Sequence, residues 1–147
     1  MKKTFTLILF ALPFALMLVA GCVKKNNDAD AKVIYPSGRF KGLFSRIHYN
    51  TRNSKYDTLS CNIELSLDPI LSAFAVTGDT SAVHAGSKGT YSLDAFYLAF
   101  SDNTLATADG KKAHLTGAYL YTYDGTALKV QALQGDTLKF NYNLKAY

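Results

Sequence analysis

Residues 115–133 read LTGAYLYTYDGTALKVQAL, and this stretch decides the fold class. Two runs rich in apolar residues flank Asp124-Gly125, a dipeptide typical of tight turns between antiparallel strands. From Leu128 onward apolar and polar side chains alternate, which is the period of a strand with one buried face. The stretch therefore predicts a β-hairpin, with Asp124-Gly125 as a two-residue type I′ turn.

The same period of two extends outward over most of the chain. Apolar side chains occupy alternate positions up to Leu67, where Asp68-Pro69 ends the run, and they alternate again near the C-terminus. Helical periodicity is almost absent. The predicted strands are Arg39–Tyr49, Thr58–Leu67, Ile70–Thr77, Tyr91–Leu93, Phe96–Ser101, Leu115–Tyr123, Thr126–Leu133 and Thr137–Lys145.

The short connections between these strands favour an antiparallel meander, because parallel pairing needs crossovers of about a dozen residues or more. About eight strands, each with one apolar face, can close into an up-and-down barrel that leaves no exposed edge. A two-sheet β-sandwich is the alternative. The sequence thus predicts an all-β domain over residues 38–147.

The hairpin registers predict which tyrosines face the interior. Directly opposed residues share a face, so a two-residue turn at Asp124-Gly125 places Tyr119 and Tyr121 on the buried side. Short turns at Asp94-Ala95 and Gln134-Gly135-Asp136 likewise place Tyr91 and Tyr142 on the buried side. Buried hydroxyls need hydrogen-bond partners, either a ligand in a cavity or groups of the protein itself. These four tyrosines are the candidate ligand-binding residues.

Side-chain size does not decide between a cavity and a solid core. Four small residues are expected to leave space inside, and four phenylalanines are expected to fill it. The small residues are Ala73, Ala75, Gly117 and Ala132, and the phenylalanines are Phe74, Phe96, Phe100 and Phe140.

The first residues have the layout of an export signal. Lys2 and Lys3 precede an apolar run of about 16 residues, which is shorter than the ~20 residues needed to span a bilayer. The run ends in Leu18-Val19-Ala20-Gly21-Cys22, which resembles the lipobox of bacterial lipoproteins. The resemblance implies cleavage before Cys22 and acylation of its thiol, with a palmitate-type chain anchoring the protein in a membrane.

This signal divides the chain into three parts: residues 1–21 as signal peptide, residues 22–37 as the lipidated Cys22 with a flexible tether, and the domain. Val23 follows the cysteine where aspartate would signal retention in the inner membrane. We therefore expect a monomer in the cell envelope, on the outer membrane. The net charge of +5 is too small to predict nucleic-acid binding.

Signatures of catalysis and metal binding are absent from the sequence. Glu64 is the only glutamate and alternates outward on its strand, so we expect no paired-carboxylate acid/base site. His48, His84 and His114 lie on separate segments, and we expect them to be exposed or at the barrel rim, with His114 pointing outward. With Cys22 acylated, Cys61 has no partner for a disulfide and is predicted to be a small buried hydrophobe. We expect no catalytic residue, metal or cofactor.

The domain resembles a small lipocalin. The resemblance covers Gly38-Arg39-Phe40 at the start of the first strand, the eight-strand meander, and Tyr142-Asn143-Leu144-Lys145 near the end. Phe40 occupies the position where the family normally has tryptophan. The resemblance implies a barrel and a small apolar or aromatic ligand. The alternative function is a structural lipoprotein with a solid barrel that contacts another protein or a glycan.

Overall fold

The chain forms a closed barrel of eight antiparallel strands, in a computed structural model that describes residues 33–105 and 111–147. Each strand pairs with the next, and β8 pairs with β1, so the barrel prediction is confirmed and the sandwich is not observed. The strands are β1 (Gly38–Asn50), β2 (Lys55–Asp68), β3 (Ala73–Gly78), β4 (Lys88–Leu93), β5 (Tyr97–Asp102), β6 (Gly117–Tyr123), β7 (Ala127–Gln134) and β8 (Leu138–Ala146). The predicted signal peptide and Cys22 lie outside the described residues.

The core lies inside the barrel and follows the alternation of the sequence. On β2 the side chains from Cys61 to Leu67 are buried at every second position. The same holds on β8, where the buried positions run from Phe140 to Leu144. The aliphatic and phenylalanine side chains with at most 2% exposure are Phe40, Phe44, Ile63, Leu65, Leu67, Leu98, Leu115, Leu128 and Val130.

Up-and-down topology gives the barrel two ends. The N-terminal end is where β1 begins, and it carries the β2–β3, β4–β5 and β6–β7 loops. These three loops share one turn design, in which an aspartate Oδ1 accepts hydrogen bonds from the backbone N–H groups two and three residues ahead. The aspartates are Asp68, Asp94 and Asp124. The opposite end carries the remaining loops.

The predicted type I′ turn is wrong, because Gly125 has a positive φ of 95° but Asp124 does not. The Asp124 carboxylate instead supports a longer loop, so Tyr121 pairs with Val130, two residues from the expected register. Tyr91 and Tyr142 show the same displacement, pairing with Phe100 and Val130. Side chains alternate with a period of two, so this displacement leaves Tyr91, Tyr121 and Tyr142 on their predicted faces.

Several predicted interior positions lie outside. Phe74 and Val76 are buried, so Ala73 and Ala75 alternate with them and face outward. Phe96 lies in the β4–β5 loop and is 68% exposed. Ile70 and Leu71, predicted to begin a strand, lie in the β2–β3 loop because Asp68 organises that turn.

Candidate functional site

The centre of the barrel is a connected set of aromatic rings. Tyr119 on β6 and Tyr142 on β8 are each 1% exposed, and their ring centroids lie 5.8 Å apart. Tyr142 packs on Phe44 with centroids 4.7 Å apart, and Tyr119 packs on Phe100 at 5.8 Å. Phe100 in turn contacts Phe74 edge to face at 4.9 Å. Such pairs are favourable arrangements for aromatic rings. These rings contact one another in the interior, where a ligand was predicted.

The side chain of His84 lies in the barrel interior, at the end opposite to the start of β1. The β3–β4 loop carries this residue, which is fully buried and lies edge-on to Phe44 at 4.7 Å between centroids. Its Nδ1 is hydrogen-bonded to the Ala85 carbonyl, which can only accept, so Nδ1 carries the proton. Burial lowers the pKa of His84 to about 4, so the ring is neutral at pH 7. Nε2 therefore accepts from the Tyr142 hydroxyl, 2.9 Å away.

The four candidate tyrosines face the interior as predicted, but their hydroxyls are in different situations. Tyr142 donates to His84, and the partly buried Tyr121 donates to the Asp94 carbonyl at 2.8 Å. The buried hydroxyls of Tyr91 and Tyr119 have no hydrogen-bond partner among the residues that the structure describes. Burial raises the pKa of Tyr119. Ligand binding by these four residues stays a prediction.

A second buried polar group lies at the opposite end of the barrel. His114 Nδ1 is 2.7 Å from Asp102 Oδ2, and their side chains are 10% and 0% exposed. Burial acts to raise the pKa of Asp102, but hydrogen bonds from Thr104 and His114 outweigh it and lower the pKa to about 2. The prediction that these two histidines are exposed was therefore wrong, because His84 has no exposure and the His114 side chain is 10% exposed; both lie at one end of the barrel. Within the described residues no group of histidine, cysteine and carboxylate side chains could hold a metal ion.

His84 is the residue of this site that the sequence pattern missed. It lies in a loop, where no strand period assigns it to a face. The available signal is local composition, because apolar residues flank it in Ala82-Val83-His84-Ala85. Folding an apolar loop segment into the adjacent barrel interior removes its apolar surface from water, which is favourable. Cys61 is a free, buried thiol as predicted, and burial raises its pKa.

An open cleft lies on the outer wall of the barrel across β6, β7 and β8. It has a volume of about 560 Å³, and its outward-facing side chains include Leu120, Lys129, Gln131 and Asn141, with Phe96 at its border. The cleft mixes apolar side chains, amides and two lysines, Lys129 and Lys139, and it lies outside the barrel wall that encloses the aromatic rings. It offers a surface for contact rather than an enclosed pocket.

Comparisons with known proteins give no relative for this chain. No protein-family model matches it, and neither curated proteins nor solved structures show a significant similarity. In the part of the chain that the structure describes, no helix has the length and apolarity to cross a membrane. Function must therefore be inferred from the barrel itself and from the N-terminal sequence.

Proposed function

We propose that the protein is a lipid-anchored, non-catalytic protein of the cell envelope whose barrel is solid and which acts through its surface. The observation that carries this proposal is the 1% exposure of both Tyr119 and Tyr142 at the barrel centre. A cavity large enough for a ligand would leave part of its lining side chains exposed to that space. Ala73 and Ala75, which could have opened such a space, face outward.

The anchor is supported by the N-terminal sequence. The segment ending in Gly21-Cys22 resembles a lipobox, and the polar residues that follow provide a tether between the lipid and the barrel. Val23 favours the outer membrane. Mass spectrometry of the native protein should find a chain that begins at an acylated Cys22, and Cys22→Ser should abolish the anchoring. An unmodified chain cleaved at another position would refute the anchor.

Binding of a small apolar or aromatic ligand is the second candidate function, and one observation favours it. Within residues 33–105 and 111–147 the Tyr91 and Tyr119 hydroxyls are buried without partners, which costs about 1–3 kcal/mol each unless another group satisfies them. A ligand that reached them would have to displace rings that are now in contact, such as the Tyr119–Tyr142 pair. The solid barrel requires no such rearrangement and is therefore the preferred candidate.

Titration of the mature chain with a fluorescent apolar probe distinguishes the two candidates. We expect no saturable binding to the wild type. Phe100→Ala provides a matched control, because deleting a ring that is 4% exposed creates an apolar cavity, and engineered apolar cavities bind small apolar molecules. Saturable binding to the wild type that Tyr119→Phe weakens would refute the solid barrel and support the ligand site.

A further inference from the structure

Two neighbouring loops at the N-terminal end of the barrel expose large apolar side chains. Ile70 and Leu71 in the β2–β3 loop are 92% and 71% exposed, and Phe96 in the β4–β5 loop is 68% exposed. β3 and β4 are paired strands, so these loops are adjacent on the barrel rim. Single exposed apolar residues are ordinary, but a group of three on adjacent loop tips indicates a contact surface.

The backbone of these loop tips is already hydrogen-bonded within each loop. Asp68 Oδ1 accepts from the N–H groups of Ile70 and Leu71 at 2.9 and 3.1 Å. Asp94 Oδ1 accepts from those of Phe96 and Tyr97 at 2.7 and 2.8 Å. Each amide without a partner adds to the cost of moving a loop into an apolar medium. The hydrogen bonds to Asp68 and Asp94 remove this amide cost when the loop tips enter an apolar medium.

The chain reaches the barrel at the same end. The sixteen residues from Cys22 to Ser37 precede β1, and fully extended they span at most roughly 55 Å. β1 itself, with 13 residues, runs a further ~40 Å toward the opposite end. The last residues before β1 lie at this rim, because β1 begins here, at Gly38. Val33 and Ile34 are about half exposed there.

We propose that the N-terminal end of the barrel docks on the lipid surface, with Ile70, Leu71 and Phe96 inserted between the head groups. This proposal rests on the proposed anchor at Cys22. An acylated Cys22 holds this end within the reach of the tether, and such tethering raises the effective concentration of the loop tips at the bilayer. Apolar side chains make the contact, so docking changes little with ionic strength.

The absence of tryptophan from the chain provides a direct test. Single reporters are introduced at the loop tips, as Ile70→Trp and Phe96→Trp. Matched controls are Tyr56→Trp at the opposite end and Leu133→Trp on the outer wall, because both positions are 73% exposed. Each full-length variant is purified from its own membranes and reconstituted into vesicles of phosphatidylethanolamine and phosphatidylglycerol, with and without brominated acyl chains.

We expect brominated lipid to quench the Ile70→Trp and Phe96→Trp reporters at least twofold, with a blue-shifted emission, and to leave the two controls unchanged. Flotation of the vesicles and the mass of the protein report the anchor separately. Anchored protein with unquenched loop reporters would overturn the docking and leave the anchor intact. Quenching at Tyr56→Trp would also overturn it. Protein without acyl chains that does not float would refute the anchor, and the docking with it.

Discussion

Removing the hydroxyl of Tyr142 separates the contribution of one buried hydrogen bond from that of ring packing. In Tyr142→Phe the ring still packs on Phe44, but His84 Nε2 loses its donor in a position with no exposure. A buried acceptor left unpaired costs about 1–3 kcal/mol. We therefore expect the free energy of unfolding to fall by about 2 kcal/mol.

Tyr119→Phe is the matched control, because it makes the same chemical change on the adjacent ring. The Tyr119 hydroxyl has no partner among the described residues, so we expect its removal to relieve a desolvation cost without breaking a hydrogen bond. We expect the stability of this variant to equal that of the wild type or to exceed it by about 1 kcal/mol. The double variant His84→Leu with Tyr142→Phe should recover only part of the loss, because it removes the unpaired Nε2 acceptor but also the Nδ1–H donor to the Ala85 carbonyl.

Urea unfolding followed by far-ultraviolet circular dichroism measures these differences, provided that the m-values agree among the variants. Equal losses in Tyr142→Phe and Tyr119→Phe would refute the reasoning. That result would mean that the Tyr119 hydroxyl is satisfied in solution by a ligand or a bound water molecule.

Three other residues give predictions of their own. Because burial lowers the pKa of His84 from 6.5 to about 4, the unfolded state binds its proton more tightly. The contribution of neutral His84 to the free energy of unfolding should be fully present above pH 6.5 and should fall by about 3 kcal/mol as the pH drops toward 4. Urea melts over this pH range check the prediction, and His84→Leu should lack this pH dependence. Gly89→Ala should lower the melting temperature strongly, because a Cβ there would overlap the Ser101 carbonyl oxygen. Gly86→Ala is the control and should melt near the wild-type temperature, because its Cβ would lie 3.6 Å from the nearest atom. Gly125→Val should lose about 1 kcal/mol or more in denaturant melts, because φ is 95° there, and an unchanged midpoint would contradict this account of the turn.

The sequence predicts the barrel well because the period of two is a property of every strand. An error of two residues in the register of Tyr121 against its partner has no effect on which face the ring occupies. The turn itself was mispredicted, because Asp124-Gly125 is compatible with a type I′ turn, and nothing local shows that the aspartate carboxylate will bind two amides ahead of it. The length of the turns was therefore predicted poorly, whereas the buried face of the strands was predicted well.

The candidate site was predictable only in part, for a different physical reason. Tyr119 and Tyr142 lie on strands, so alternation placed them in the interior. His84 lies on a loop and enters the core through long-range packing against Phe44, which no periodic pattern encodes. The exposed tips at Ile70 and Phe96 were missed because an apolar residue next to a strand is assigned by default to the core.

Native mass spectrometry of the protein purified from its own membranes tests the solid barrel most directly. A solid barrel predicts a single species whose mass equals that of the chain beginning at Cys22 plus its acyl groups. A further small molecule that remains bound in the folded protein, is released on unfolding and is lost in Tyr119→Phe would contradict it.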